Sequence, residues 1–172
     1  TMFTIWDTFL NNYGDVFAVC RFGDDLGFKS SLLIKPETAY DYILPEYKKI
    51  IRLIHSYNKP FLLHSCGAIW ELMEPLINEC VIDAKHSNED AIAPFISWVD
   101  AYGDRIGNFG GIDMNILCMG SERDIKEYTC EVLSRLDGKS GIAIGSGNQI
   151  ASYVPPEGFL AMVESVREYR GY

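Results

Sequence analysis

The chain has 172 residues, 48% of them hydrophobic, and carries a net charge of −9 from 24 acidic and 15 basic residues. This length suits one α/β domain over residues 1–172 with a proper core, and the acidic balance excludes the basic face that nucleic-acid binding needs. No apolar run approaches the ~20 residues of a membrane span; no basic and apolar leader is visible, and the five cysteines show neither a CxxC nor a dense disulfide spacing, so a soluble, cytoplasmic protein with no membrane association is expected.

The opening stretch TMFTIWDTFLNNYG sets Phe3, Trp6 and Phe9 in an apolar stripe. DVFAVCRFGDD reads as the first strand and ends in Gly23, Asp24 and Asp25. After a loop, Pro36 opens a helix over 36–57, which Pro45 should kink or divide. KPFLLHSCG is the second strand, followed by the helix AIWELMEPLINEC; VIDAKHSNED is the third, followed by AIAPFISWVDAYG. Trp70 and Trp98 fall at core-facing spacing in those two helices. RIGNFGGID is the fourth strand, and a helix after Asp113 takes up Cys118. SERDIKEYTCEVLSRLDG is then a helix with Ser121 as N-cap, Asp124 at its third position and Gly138 as its stop. GIAIGSGN is the fifth strand, and PPEGFLAMVESVREYRGY closes the sequence as a helix.

Strands alternating with helices predict parallel β/α units. Each strand ends in a small polar cluster: Asp24 with Asp25, His64 with Cys66, His86 with Asn88 and Glu89, Asp113, and Ser146 with Asn148. In parallel α/β folds, ligands gather at that carboxyl edge. Five units are too few for a closed eight-stranded barrel of ~250 residues. The expectation is therefore an open doubly wound sheet or the later part of a longer barrel.

His64 and Cys66 lie two apart on an extended segment, so both side chains face the same way and can meet one ion. The plain alternative is that both pack at the strand end, with Gly67 permitting the turn. A catalytic zinc site needs three protein ligands and an open position. His86 and Glu89 are the first candidates to complete the set, with Asp113 and Asp24 behind them; each can instead orient a ligand by hydrogen bonding. Asp24 and Asp25 suit acid–base work, a cation, or loop capping. Gly110 and Gly111 before Asp113, and Gly145, Ser146 and Gly147 before Asn148, would let backbone approach a cofactor or an anionic group. Neither stretch is a Walker or dinucleotide fingerprint.

At LLHSCG, NFGGID and GSGNQIASYVPPEGFLAMVESV the sequence resembles the uroporphyrinogen decarboxylase superfamily, which includes corrinoid methyltransferases acting on coenzyme M. The likeness runs from about Asp24 to the C-terminus. It implies a (β/α)8 TIM barrel of which this chain is the last five units, a partial barrel. It also implies zinc held by a His-x-Cys pair, matched by His64 and Cys66, and by a cysteine in a later SGC turn, where Asn148 stands here. The implied reaction is zinc-assisted methyl transfer between a corrinoid carried by a partner protein and a small-molecule thiol. The alternative within the superfamily is decarboxylation of a tetrapyrrole, whose carboxylate-clamping groups belong to the earlier barrel. A third reading is a non-catalytic binding or assembly module whose sheet another chain completes, a homo-oligomer included.

Overall fold

The computed structural model describes residues 2–172, in which five parallel strands alternate with helices along the chain. This is the α/β succession of β/α units that the sequence pattern predicts. The chain forms two compact units, Thr1–Lys85 and His86–Tyr172.

The first unit holds α1 (Met2–Tyr13), β1 (Cys20–Gly23), α2 (Pro36–Thr38), α3 (Leu44–Ser56), β2 (Phe61–His64), α4 (Trp70–Pro75) and the start of β3 (Ala84–His86). All four residues of β2 are buried, as its unbroken apolar run requires of a parallel strand covered on both faces. Helix α3 buries Tyr47, Ile50, Ile51 and Ile54, an i, i+3, i+4, i+7 stripe that makes it amphipathic. Before Pro45 the helix widens into a π turn over Ala39–Ile43, and a second π turn over Leu76–Cys80 follows Pro75. Pro45 cannot donate to the fourth preceding carbonyl, that of Asp41, and its ring crowds it, so the helix before it yields locally rather than ending. Asp83 pins the start of β2, accepting from Phe61 N at 2.7 Å while its Oδ2 meets His55 Nε2 at 2.8 Å. In α1 only Leu10 is buried, and Phe3 and Phe9 of the apolar stripe are exposed.

Strands β1 and β2 pair in parallel with Gly23 level with His64. That register sets the residues after β1, Asp24 and Asp25, beside those after β2, Ser65 and Cys66.

The second unit holds α5 (Phe95–Tyr102), β4 (Gly107–Ile112), α6 (Met114–Met119), α7 (Glu122–Arg135), β5 (Ile142–Ser146) and α8 (Pro156–Tyr169). Strands β4 and β5 pair in parallel, Gly111 against Gly145 and Ile112 against Ser146. Ile112, Leu117, Ile125, Val154, Ala161 and Met162 form one buried cluster. Phe95, Val99 and Leu136 form another, against Ile142 and Ile144 of β5. Ser121 caps α7 as its sequence predicts: its hydroxyl accepts from Asp124 N, and the Asp124 carboxylate accepts from Ser121 N, a reciprocal capping box. Trp98 is buried. Among the described residues no helix is long and apolar enough to cross a membrane.

Candidate metal centre

Two loops of the first unit are joined rung by rung. Asp24 N donates to His64 O at 3.0 Å, Leu26 N to Ser65 Oγ at 3.1 Å, Cys66 N to Asp25 Oδ1 at 3.1 Å, and Ala68 N to Phe28 O at 2.7 Å. This seam closes only because glycines meet in it. A Cβ on Gly67, whose φ is +86°, would lie 2.1 Å from the carbonyl carbon of Gly27, and one on Gly27 would lie 2.9 Å from Ala68 N. The zipped loops bring Asp25, His64 and Cys66 together, with one ligand atom of each within 4.8 Å of the others. His64 is buried, Cys66 half-buried and Asp25 exposed.

His64 Nε2 and Cys66 Sγ are 3.7 Å apart. A tetrahedral zinc with bonds of about 2.05 Å to nitrogen and 2.3 Å to sulfur sets those atoms about 3.6 Å apart, so the pair already has the spacing of two zinc ligands. The Cys66 amide, by donating to Asp25, holds that carboxyl below the usual carboxylate range against the opposing effect of burial, with help from the Cys66 thiol and His64. Asp25 is thereby kept ionised, the form a metal requires. Sulfur, imidazole nitrogen and carboxylate oxygen are the donor types that zinc accepts, and three of them leave a fourth position open. The residues fit the metal.

Behind this group, Tyr47 donates to Asp24 Oδ2 at 2.8 Å. Burial first, and the Asp24 bond second, raise the Tyr47 hydroxyl's pKa, so this pair is a phenol held against a carboxylate. Lys85 of β3 is 1% exposed. Burial pushes its pKa down to about 7, and nearby Cys66 opposes that fall. Sequence reasoning passed over Lys85; its one local signal is a cation in the apolar stretch VIDAKH.

The remaining candidates lie in the second unit. His86 Nε2 donates to Ser146 O at 3.1 Å. Glu89 lies in the following loop, where its carbonyl accepts from Ile92 N and Ala93 N. Asp113 is the N-cap of α6: one carboxylate oxygen accepts from Asn115 N at 2.7 Å and the other from Asp90 N at 2.8 Å. Asn148 turns its Oδ1 to Gln149 N, and its carbonyl accepts from Ser146 Oγ. The room left by the glycines is largely taken by protein. A Cβ on Gly110 would lie 2.2 Å from Asn88 Oδ1, one on Gly111 2.7 Å from Phe95, and one on Gly147 2.4 Å from Asn88 O, whereas Gly145 faces open space. Asn88 ties these strand ends together, accepting from Gly111 N and donating its own amide to Gly147 O. Among the described residues, Asp25, His64 and Cys66 are the one group of three or more such ligands.

A methyltransferase from Methanosarcina mazei has a similar fold, with a TM-score of 0.75 at 20% sequence identity over 98% of this chain and 47% of that one. The chain thus spans about half the length of the structure it matches, and at this identity the likeness is one of fold. Comparison with curated protein sequences finds no match. The sequence profile of uroporphyrinogen decarboxylase (URO-D) matches residues 16–169. With nearly its whole length matched by that profile, the chain belongs to the uroporphyrinogen decarboxylase family.

Proposed function

We propose that Asp25, His64 and Cys66 hold zinc, and that the site serves methyl transfer from a corrinoid, carried by a partner protein, to a small-molecule thiol. The observation that carries this reading is the convergence of the three ligand atoms, with the 3.7 Å nitrogen–sulfur spacing, in a family member whose fold a methyltransferase shares. Bound zinc would supply Lewis acidity that favours the thiolate form of an incoming thiol at neutral pH. The chain's own groups do the rest. The Cys66 amide orients Asp25 and keeps it ionised, and the paired backbones of β1 and β2, with Gly23 level with His64, set Asp25 beside Cys66. None of the five cysteines is in a disulfide, which suits a reducing, cytoplasmic setting.

The test is zinc analysis of purified protein, followed by thiol methylation with methylcobalamin as donor. The expected result is about one equivalent of zinc in the unaltered protein and a severalfold lower content in His64→Ala and Asp25→Ala. Equal and negligible metal in all three would overturn the metal reading. The name of the matching family supports a second reading, decarboxylation of a tetrapyrrole acid. Turnover of uroporphyrinogen by zinc-stripped protein would favour it over methyl transfer.

A further inference from the structure

A cavity lies within the unit His86–Tyr172. It has a volume of about 140 Å³ and opens between α5 and α7. Its walls are Phe95 and Ile96 of α5 with Val132 and Leu136 at α7. Phe95 leans on Gly111 of β4, where a Cβ would meet its ring at 2.7 Å. An apolar cavity of roughly this size, about 150 Å³, is known to admit a benzene ring. The volume therefore suits one six-membered ring or a short branched chain.

The mouth is charged, and its charges are unequal. Asp90, Glu131 and Arg135 line it together with Tyr128, two negative charges against one positive. The Arg135 guanidinium is bonded to Glu131 Oε1 at 2.5 Å within its own helix. The Asp90 carboxylate accepts from the Tyr128 hydroxyl, a neutral donor, at 2.5 Å. Desolvation at this mouth raises the Asp90 pKa; the like charges of Asp113 and Glu131 add to the rise, while Tyr128 and Arg135 oppose it. A carboxylate destabilised in this way gains from a cation brought to it. An anion would have to compete with Glu131 for the guanidinium and face Asp90 as well.

We infer that this cavity binds a small organic monocation, a primary ammonium on a single ring or short branched chain, with its apolar body between α5 and α7 and its charge at Asp90 and Glu131. The inference is independent of the metal centre and stands or falls without it.

The test uses the whole chain at pH 7 and follows backbone amide shifts by NMR. The probes are benzylammonium, its neutral isostere benzyl alcohol, and benzoate. Benzylammonium is expected to saturate shifts at Ile96, Val132 and their neighbours with a Kd on the order of 1 mM or tighter. Benzyl alcohol should bind about tenfold more weakly, and benzoate should leave those amides unmoved. Asp90→Asn, which can keep the Tyr128 hydrogen bond, should bring benzylammonium down to the level of the alcohol. Ile96→Trp should fill the cavity and abolish binding of both; if that variant does not fold, Asp90→Asn decides alone. No saturable shift with benzylammonium, shifts confined to other parts of the chain, equal binding of the three probes, or an Asp90→Asn variant of unchanged affinity would each overturn the inference.

Discussion

Replacing Gly67 by alanine tests the contact that assembles the candidate metal centre. Two costs add at this position. The φ of +86° is strained for any residue with a Cβ, a cost of about 1–2 kcal/mol. The new methyl would also lie 2.1 Å from the Gly27 carbonyl carbon, where 3.4 Å is an ordinary contact. The two loops must therefore open by about 1.3 Å, and overpacking of this kind costs about 1–3 kcal/mol. The sum, about 2–5 kcal/mol, corresponds to a fall in Tm of about 5–20 °C in a domain of this size. Two further variants separate the costs. Gly138→Ala meets positive φ, +75°, with nothing within 4 Å of the new methyl, so it should lose only about 1–2 kcal/mol. Gly27→Ala meets backbone at 2.9 Å without the positive φ and should report the crowding alone. Thermal melts measure all three, and zinc content of the Gly67 variant reports whether Asp25 still reaches Cys66. A Gly67→Ala variant no less stable than Gly138→Ala would refute the argument that the close approach of Gly27 and Gly67 holds this seam.

Three other perturbations probe the structure elsewhere. Lys85 has its folded pKa lowered to about 7 from an unfolded value near 10.4, so between those pH values the unfolded chain binds more protons and stability rises with pH. The full excursion is on the order of 5 kcal/mol at most. Urea unfolding of metal-free protein should show Lys85→Met flattening that rise and gaining stability below pH 7, and equal pH slopes in the two proteins would refute the assignment. Asp113→Ala removes the acceptor for Asn115 N and Asp90 N; losing a cap and leaving one amide unsatisfied should cost about 2–3 kcal/mol, measurable as a lower urea midpoint. Ser121→Ala breaks the capping box of α7 and should cost about 1 kcal/mol, or about 2–4 °C in Tm; an unchanged melt would show that α7 does not depend on its cap.

Much of the local structure was legible in the sequence because short-range rules decide it. KPFLLHSCG was legible as a strand from its apolar run, and the segment opened by Pro36 as a helix. Ser121 and Asp124 announced the capping box of α7. His64 and Cys66 were visible as a pair because two residues along an extended chain return to the same face. The proline at 45 was read correctly as a disturbance, though its form, a π turn before the proline, depends on packing that keeps the helix continuous.

The sequence by itself therefore determined the succession of parallel β/α units, the capping of α7 and two members, His64 and Cys66, of the candidate metal centre. The tertiary structure decided which residue joins them. Asp25 lies 39 residues before His64 in the chain and reaches it through the parallel register of Gly23 with His64 and the glycine contact of 27 with 67. It likewise decided that Asp113 spends its carboxylate on backbone amides, and that Asn88 and Phe95 occupy the room beside Gly110 and Gly111. The reason is physical: periodicity and capping report interactions within a few residues, whereas the meeting of ligand atoms depends on strand register and on which backbones can touch.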